Sequence, residues 1–302
     1  MTTRKIAAET TGPVTIDATL KGHGGVISVR VDDKCERATL TISTTDDDGP
    51  AAEAVRAATL RQSVTGLYAS VVGKGGTNTG TTTIITGGRG GMTIIQNAGT
   101  VHGEMVGMNF ADGDVTVNGV RVSGGGTVIA ATAPVEIVAT VPPGSKVIGN
   151  TQSADVEALG TFAAVSAFTQ SGAVRVDTSN KVTASTQSGG VTVDKADEIN
   201  VKTMSGGVYL NVTDVVEAKT MSGAITIQDF AGTARLKTMS GAIRVHATGG
   251  GDLDAKTMSG AIDVTATEAA LADNLDVRPR SMSGRISVPS RRTPGASPRR
   301  RR

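Results

Sequence analysis

One short phrase recurs along the second half of this chain at near-constant spacing, and few folds can accommodate that. Thr-Met-Ser-Gly, followed one residue later by an aliphatic-x-aliphatic triplet, begins at Thr203, Thr220, Thr238 and Thr257. Thr169-Gln170-Ser171-Gly172 and Thr186-Gln187-Ser188-Gly189 precede these copies, and Ser281-Met282-Ser283-Gly284 follows them. Thr151-Gln152-Ser153-Ala154 is a degenerate first copy. The serines at 171, 188, 205, 222, 240, 259 and 283 are separated by 17, 17, 17, 18, 19 and 24 residues. A fixed short period marks a repeat architecture in which each unit buries its face by stacking on its neighbours.

Within a repeat the pattern alternates with the strand period of two. Ile199, Val201 and Thr203 share one face, and Val208 and Leu210 share the next. Unbroken alternation from Thr203 would put Val208 outside, so the chain must shift phase once within Met204-Ser205-Gly206-Gly207. Glycine there tolerates the backbone angles of a corner or bulge. The same rule holds for Val216, Ala218 and Thr220 before Ile225 and Ile227, and for Leu253, Ala255 and Thr257 before Ile262 and Val264. The intervening Glu217, Lys219, Arg235, Lys237, Asp254 and Lys256 belong in water.

A unit is therefore two short strands, a glycine corner and a polar turn such as Asp194-Lys195-Ala196-Asp197. Its length is too short for a strand-helix-strand unit of ~30 residues. It fits one coil of a parallel β-solenoid, with coils stacked about 4.8 Å apart. Stacking creates ladders of Thr, of Met or Gln, and of Ser. The Met ladder is expected to fill irregular space at the corner, with an outward apolar stripe as the alternative. The Ser ladder is expected to make corner hydrogen bonds rather than to act as nucleophiles. The only basic residues at constant spacing from it are Lys202, Lys219, Lys237 and Lys256, which point outward.

Four segments follow. Residues 1–61 read as a β-rich cap with one short helix, 62–130 as a Gly-rich irregular β region or insertion, 131–289 as the solenoid, and 290–302 as a disordered Arg-rich tail. In the cap, Val14 to Leu20, Ile27 to Val31 and Ala38 to Ile42 alternate as strands, and Asp46-Asp47-Asp48-Gly49-Pro50 opens a helix from Ala51 to Arg61. The N-terminal strands cap one end of the stack. Residues 66–126 hold 17 of the 39 glycines, which favours irregular solenoid-like turns or a mobile insertion. Gly87-Gly88-Arg89-Gly90-Gly91 lacks the Lys-Ser/Thr and the helix of a phosphate loop. With four Phe, two Tyr and no Trp, thin layers of Val, Ile, Ala and Thr suit the chain better than a bulky core.

His23, His102 and His246 follow no ligand spacing, and neither a metal nor a cofactor is expected. The lone Cys35 excludes an intramolecular disulfide framework and suits a reducing compartment. No run reaches transmembrane length, and the N-terminus lacks the apolar stretch of a secretory signal. The expected location is cytoplasmic, or peripheral at an anionic membrane surface.

Charge is concentrated at one end. Arg291, Arg292, Arg299, Arg300, Arg301 and Arg302 lie in the tail among Pro, Ser and Gly. Without them a chain of net +2 becomes a body of net −4, since residues 1–290 keep 24 of the 30 basic residues against all 28 acidic ones. The tail is either a solvated end or an attraction to nucleic acid or acidic lipid, non-specific and fading with salt.

The strand-rich N-terminal part, then Val141-Pro142-Pro143-Gly144-Ser145-Lys146-Val147, then the Ser-Gly-x-aliphatic-x-Val copies, together resemble a known group. This order is similar to the bacterial adhesin β-strand-repeat family, a domain of unknown function common in actinobacteria, over roughly residues 10 to 290. The resemblance implies an all-β, right-handed parallel β-solenoid with no assigned enzymatic activity. The expected function is a non-enzymatic scaffold or interaction protein that presents outward ladders, Lys202, Lys219, Lys237 and Lys256 among them, to a protein or an anionic surface. Self-assembly through exposed solenoid ends is the alternative. A polysaccharide-cutting β-helix enzyme would need carboxylates at matching positions of adjacent coils. Asp177, Asp194, Asp214 and Asp229 instead recur in the turn, where Asp is an ordinary turn former.

Overall fold

The computed structural model describes residues 1–73 and 133–289 in full and, between them, the backbone of six short strands. The N-terminal elements are β1 (Thr2–Ala7), β2 (Thr15–Lys21), β3 (Gly25–Val31), β4 (Thr39–Thr44), α1 (Pro50–Ala57), β5 (Thr59–Ser63) and β6 (Gly66–Val72). In the Gly-rich stretch, β7 (Thr83–Gly88), β8 (Gly91–Ile95), β9 (Gly107–Phe110) and β12 (Gly126–Ile129) form an antiparallel sheet. A hairpin of β10 (Asp114–Val117) and β11 (Val120–Ser123) lies between them in sequence. Turns of a solenoid would pair parallel, so these strands are not further coils.

The repeats form β13 (Val135–Val141), β14 (Lys146–Thr151), β15 (Asp155–Thr169), β16 (Val174–Thr186), β17 (Val191–Thr203), β18 (Val208–Thr220), β19 (Ile225–Lys237), β20 (Ile243–Thr257) and β21 (Ile262–Ala266). Then come α2 (Glu268–Ala272), β22 (Asp276–Ser281) and β23 (Ile286–Ser287). From β13 to β23 all pairings within the series are parallel, as a β-solenoid requires, with register shifts confined to the bends of β15, β18, β19 and β20. One wall stacks Val174, Val191, Val208, Ile225, Ile243 and Ile262. The other stacks Val165, Val182, Ile199, Val216, Ala234 and Leu253. All twelve are buried, so the inside-outside alternation read from sequence is the one the fold uses.

Each long strand bends once between the walls, and there the chain differs from expectation. Asp194-Lys195-Ala196-Asp197 is not a loose polar turn: it stays in the ladder, with Ala196 pointing inward and buried. Its stacked equivalents are Phe162, Ser179, Thr213, Phe230 and Ala247, all buried. Two of the four phenylalanines, Phe162 and Phe230, thus fill the bend, with Ser179, Ala196 and Thr213 between them. The longer steps are absorbed without breaking the stack. Extra residues at Gly249-Gly250-Gly251 stay within β20, and the 24-residue step holds α2, a second helix absent from the sequence reading.

The N-terminal strands do more than abut the solenoid. β2 lies between β6 and β14, and β3 between β13 and β15, all in parallel register, so this segment supplies a coil inside the stack. Antiparallel β4 and β1 then close one wall, and antiparallel β5 closes the other. Ala51, Ala52, Ala54 and Val55 of α1 are buried at this end. The helix is shorter than the expected Ala51-to-Arg61 span, because Ala58 turns extended and Thr59–Ser63 pairs with β6.

The corner chemistry belongs to threonine rather than serine. Thr169, Thr186, Thr203, Thr220, Thr238 and Thr257 are buried, and each hydroxyl accepts the N–H of the glycine three residues on at 2.9–3.0 Å. Thr238 and Thr257 also donate to the corner glycine carbonyl of the coil before, at 3.3 Å. The Ser240, Ser259 and Ser283 hydroxyls donate more loosely, to a methionine carbonyl of the previous coil at 3.3–3.4 Å. Thr238→Val keeps the shape but strands the Gly241 N–H. Its expected cost is about 1–3 kcal/mol, measurable by urea unfolding.

His23, in the β2–β3 turn, is fully buried, with no hydrogen-bond partner at either ring nitrogen among the described residues. Burial pushes its imidazole below the ordinary histidine range. The folded state therefore keeps it neutral, while the unfolded chain takes up a proton near the unperturbed value of about 6.5. This group's contribution is intact above that pH and is lost as pH falls through it. Urea unfolding from about pH 7.5 to about pH 5.5 is expected to show falling stability, with a flatter slope in His23→Gln.

Candidate functional site

The Thr–Gly hydrogen bond decides what faces outward at the corner. With Thr203 turned in and Gly206 turned in, Met204 and Ser205 both face solvent, and this is where the phase shift occurs. The methionines do not pack inside the corner as expected. Met204, Met221, Met239 and Met258 are 45–50 % exposed and Met282 is 80 % exposed. Gln152, Gln170 and Gln187 hold the same position in the earlier coils, linked through the corner backbone.

Two residues before each methionine, the last outward position of the strand carries a cation. Lys202, Lys219, Lys237, Lys256 and Arg280 are direct neighbours in parallel register, one per coil. Four steps at about 4.8 Å make a row about 19 Å long. The structure therefore brings the four lysines named from the sequence into one line and adds Arg280. That residue was legible in the Ser281-Met282-Ser283-Gly284 copy, where it stands at the lysine position. The six tail arginines, Arg291, Arg292 and Arg299 to Arg302, lie outside the described residues.

The two rows wall a shallow groove. Its C-terminal part, about 510 Å³, lies among Lys219, Lys237, Lys256, Arg280, Met239, Met258 and Met282, with Thr220, Thr238, Thr257 and Ser281 between the walls. Its N-terminal part, about 610 Å³, is lined by Asn150, Gln152, Phe168, Gln170, Ser185 and Gln187 and reaches Lys202 and Met204. One end is thus mostly hydrogen-bonding, with Lys21 and Lys202 among its lining residues, and the other is cationic along one wall and apolar along the other.

Lys219 pairs with Glu217 at 2.5 Å and Lys256 with Asp254 at 2.6 Å. The hydrogen bond from Lys219 holds the Glu217 carboxyl below its usual range. Lys202, Lys237 and Arg280 make no ion pair among the described residues. Exposed pairs contribute little to stability, so two weak pairs and three unpaired cations leave the row attractive to an external anion. Among the described residues no three His, Cys, Asp or Glu side chains converge as a metal site would require.

A family model described as Toastrack DUF4097 matches residues 112–300, more than half of the chain. No curated protein and no solved structure matches it.

Proposed function

The chain belongs to the Toastrack DUF4097 family, and on that premise we propose that it is a non-enzymatic interaction scaffold whose corner groove docks an anionic partner. The observation that carries this reading is the row Lys202, Lys219, Lys237, Lys256 and Arg280, held at fixed spacing beside the methionine row by the parallel ladder of the coils. A rigid frame with repeated outward groups suits extended binding without turnover. The adhesin-like role expected from the sequence takes this concrete form, adhesion to an anionic surface along the groove.

Titration of the full chain with soluble polyglutamate and with heparin tests the proposal. Saturable binding is expected, with both probes recovered intact, and weakened at high salt. Replacing Lys202, Lys219, Lys237 and Lys256 by Gln is expected to abolish it with unchanged circular dichroism. Cleavage of heparin would contradict the non-enzymatic reading, and binding unaffected by the lysine replacements would move the site elsewhere.

Self-association has one observation in its favour. β22 pairs only with β20 and β23 only with β21 among the described strands, so the last coil presents strand edges, with Ile286 and Val288 exposed. Pro279 in β22 and the neighbouring arginines blunt that edge. Removing residues 289–302 is expected to enlarge the particle if assembly is the function, and an unchanged mass by light scattering counts against it.

A further inference from the structure

We propose that the partner of the cationic half of the groove is an anionic lipid surface, entered by the methionine row while the flanking cations hold headgroup phosphates. This rests on the groove reading above and narrows it to one occupant.

The two rows have complementary chemistry. Met204, Met221, Met239, Met258 and Met282 are exposed one per coil along the corner, an apolar line that a flat boundary could meet. The cation row lies two residues away in each coil, close enough for long stems to cover apolar surface while their heads reach outward. An apolar line flanked by cations is the pattern of a protein lying on an anionic bilayer. Arg235 and Arg278, on the same outward face, add positive charge against the carboxylates Glu217, Asp254, Asp252 and Asp276.

Nucleic acid fits less well. Single strands are gripped by aromatic platforms, and among the described residues the exposed aromatic side chains are Phe168, in the N-terminal half, and Tyr209, on the other wall. Five methionines contribute nothing to phosphate binding but can enter a lipid interface. An acidic peptide could satisfy the lysines, yet would leave most of the exposed methionine row uncovered. The sequence adds a second signal, six arginines within residues 290–302 that follow the last coil along the chain. Stable membrane association generally needs two such contributions.

The test is flotation of the full chain with vesicles of phosphatidylcholine alone, or of phosphatidylcholine with phosphatidylglycerol, beside titration with soluble polyglutamate. Two groove variants are compared, Met221→Ser/Met239→Ser/Met258→Ser and Lys202→Gln/Lys219→Gln/Lys237→Gln/Lys256→Gln, together with deletion of residues 290–302. All seven replaced side chains are exposed or half-exposed, so circular dichroism is expected to stay native. Binding is expected only to vesicles with phosphatidylglycerol. Each lysine near such a surface is worth about fivefold, so the lysine variant is expected to lose roughly a hundredfold or more. The methionine variant is expected to lose about tenfold, and the tail deletion to weaken binding without abolishing it.

Binding of polyglutamate without binding of phosphatidylglycerol vesicles overturns the lipid assignment and leaves the groove reading standing. Binding of neither overturns both. Vesicle binding that depends only on residues 290–302, with both groove variants unaffected, also overturns the proposal.

Discussion

Gly223→Ala is expected to cost about 4 kcal/mol or more, a loss in the range that marks a severe structural conflict. Gly207→Ala, in the preceding corner, is expected to stay within about 0.5 kcal/mol of wild type. A Cβ on Gly223 would lie 1.9 Å from the Gly206 carbonyl oxygen of the coil beneath. That carbonyl belongs to a backbone fixed by ladder bonds on both sides, so it has nowhere to move. The conflict recurs at every copy, with approaches of 1.8–1.9 Å at Gly172, Gly189, Gly206, Gly241, Gly260 and Gly284. A Cβ on Gly207 meets nothing nearer than the Ala224 carbonyl at 3.7 Å, and Ala224, Ala242 and Ala261 already occupy that position in later coils. Urea unfolding of both variants measures the contrast. Similar stabilities would mean that the coils do not stack corner on corner.

Ile225→Asp is expected to lose several kcal/mol, in the range of about 4–5. Ile225 is fully buried and stacked between Val208 and Ile243. A carboxylate there has neither water nor a cation within the wall. Lys219→Ala, by contrast, removes an exposed side chain and its pair with Glu217, for well under about 1 kcal/mol. The same urea assay compares them, and equal effects would overturn the inside-outside assignment. Ile243→Asp should repeat the Ile225 result one coil further on.

The coil was legible because its period is written many times over. The alternation of Ile199, Val201 and Thr203, then Val208 and Leu210, can be satisfied only with one phase shift at the corner, and that is where it lies. The direction of Met204 was not legible. A phase shift can fall on either side of a methionine without changing the aliphatic pattern, and the Thr–Gly hydrogen bond decides which. The glycines were recognised for the wrong reason. None of the seven corner glycines has a positive φ; the requirement is close approach between coils, which one repeat alone cannot reveal.

Ala196 looked like part of a polar turn because three charged neighbours surround it, and only stacking on Ser179 and Thr213 shows it to be core. The insertion of β2 and β3 into the stack was hidden for a different reason. Their alternation is that of any half-buried strand, and nothing local says that their partners are β13 and β14, more than a hundred residues away. Within the groove, the lysine row followed directly from the period, whereas its apolar wall depended on the corner geometry.

Methionine oxidation in the native protein tests the central claim most directly, that each corner turns Thr inward and Met outward. Dilute peroxide followed by peptide mass spectrometry reads each methionine separately. Met204, Met221, Met239, Met258 and Met282 are expected to oxidise readily while circular dichroism stays native, with Met282 fastest. Protection of these residues until the protein is unfolded would place the methionine row inside the corner, and the groove and its proposed partner would fall with it.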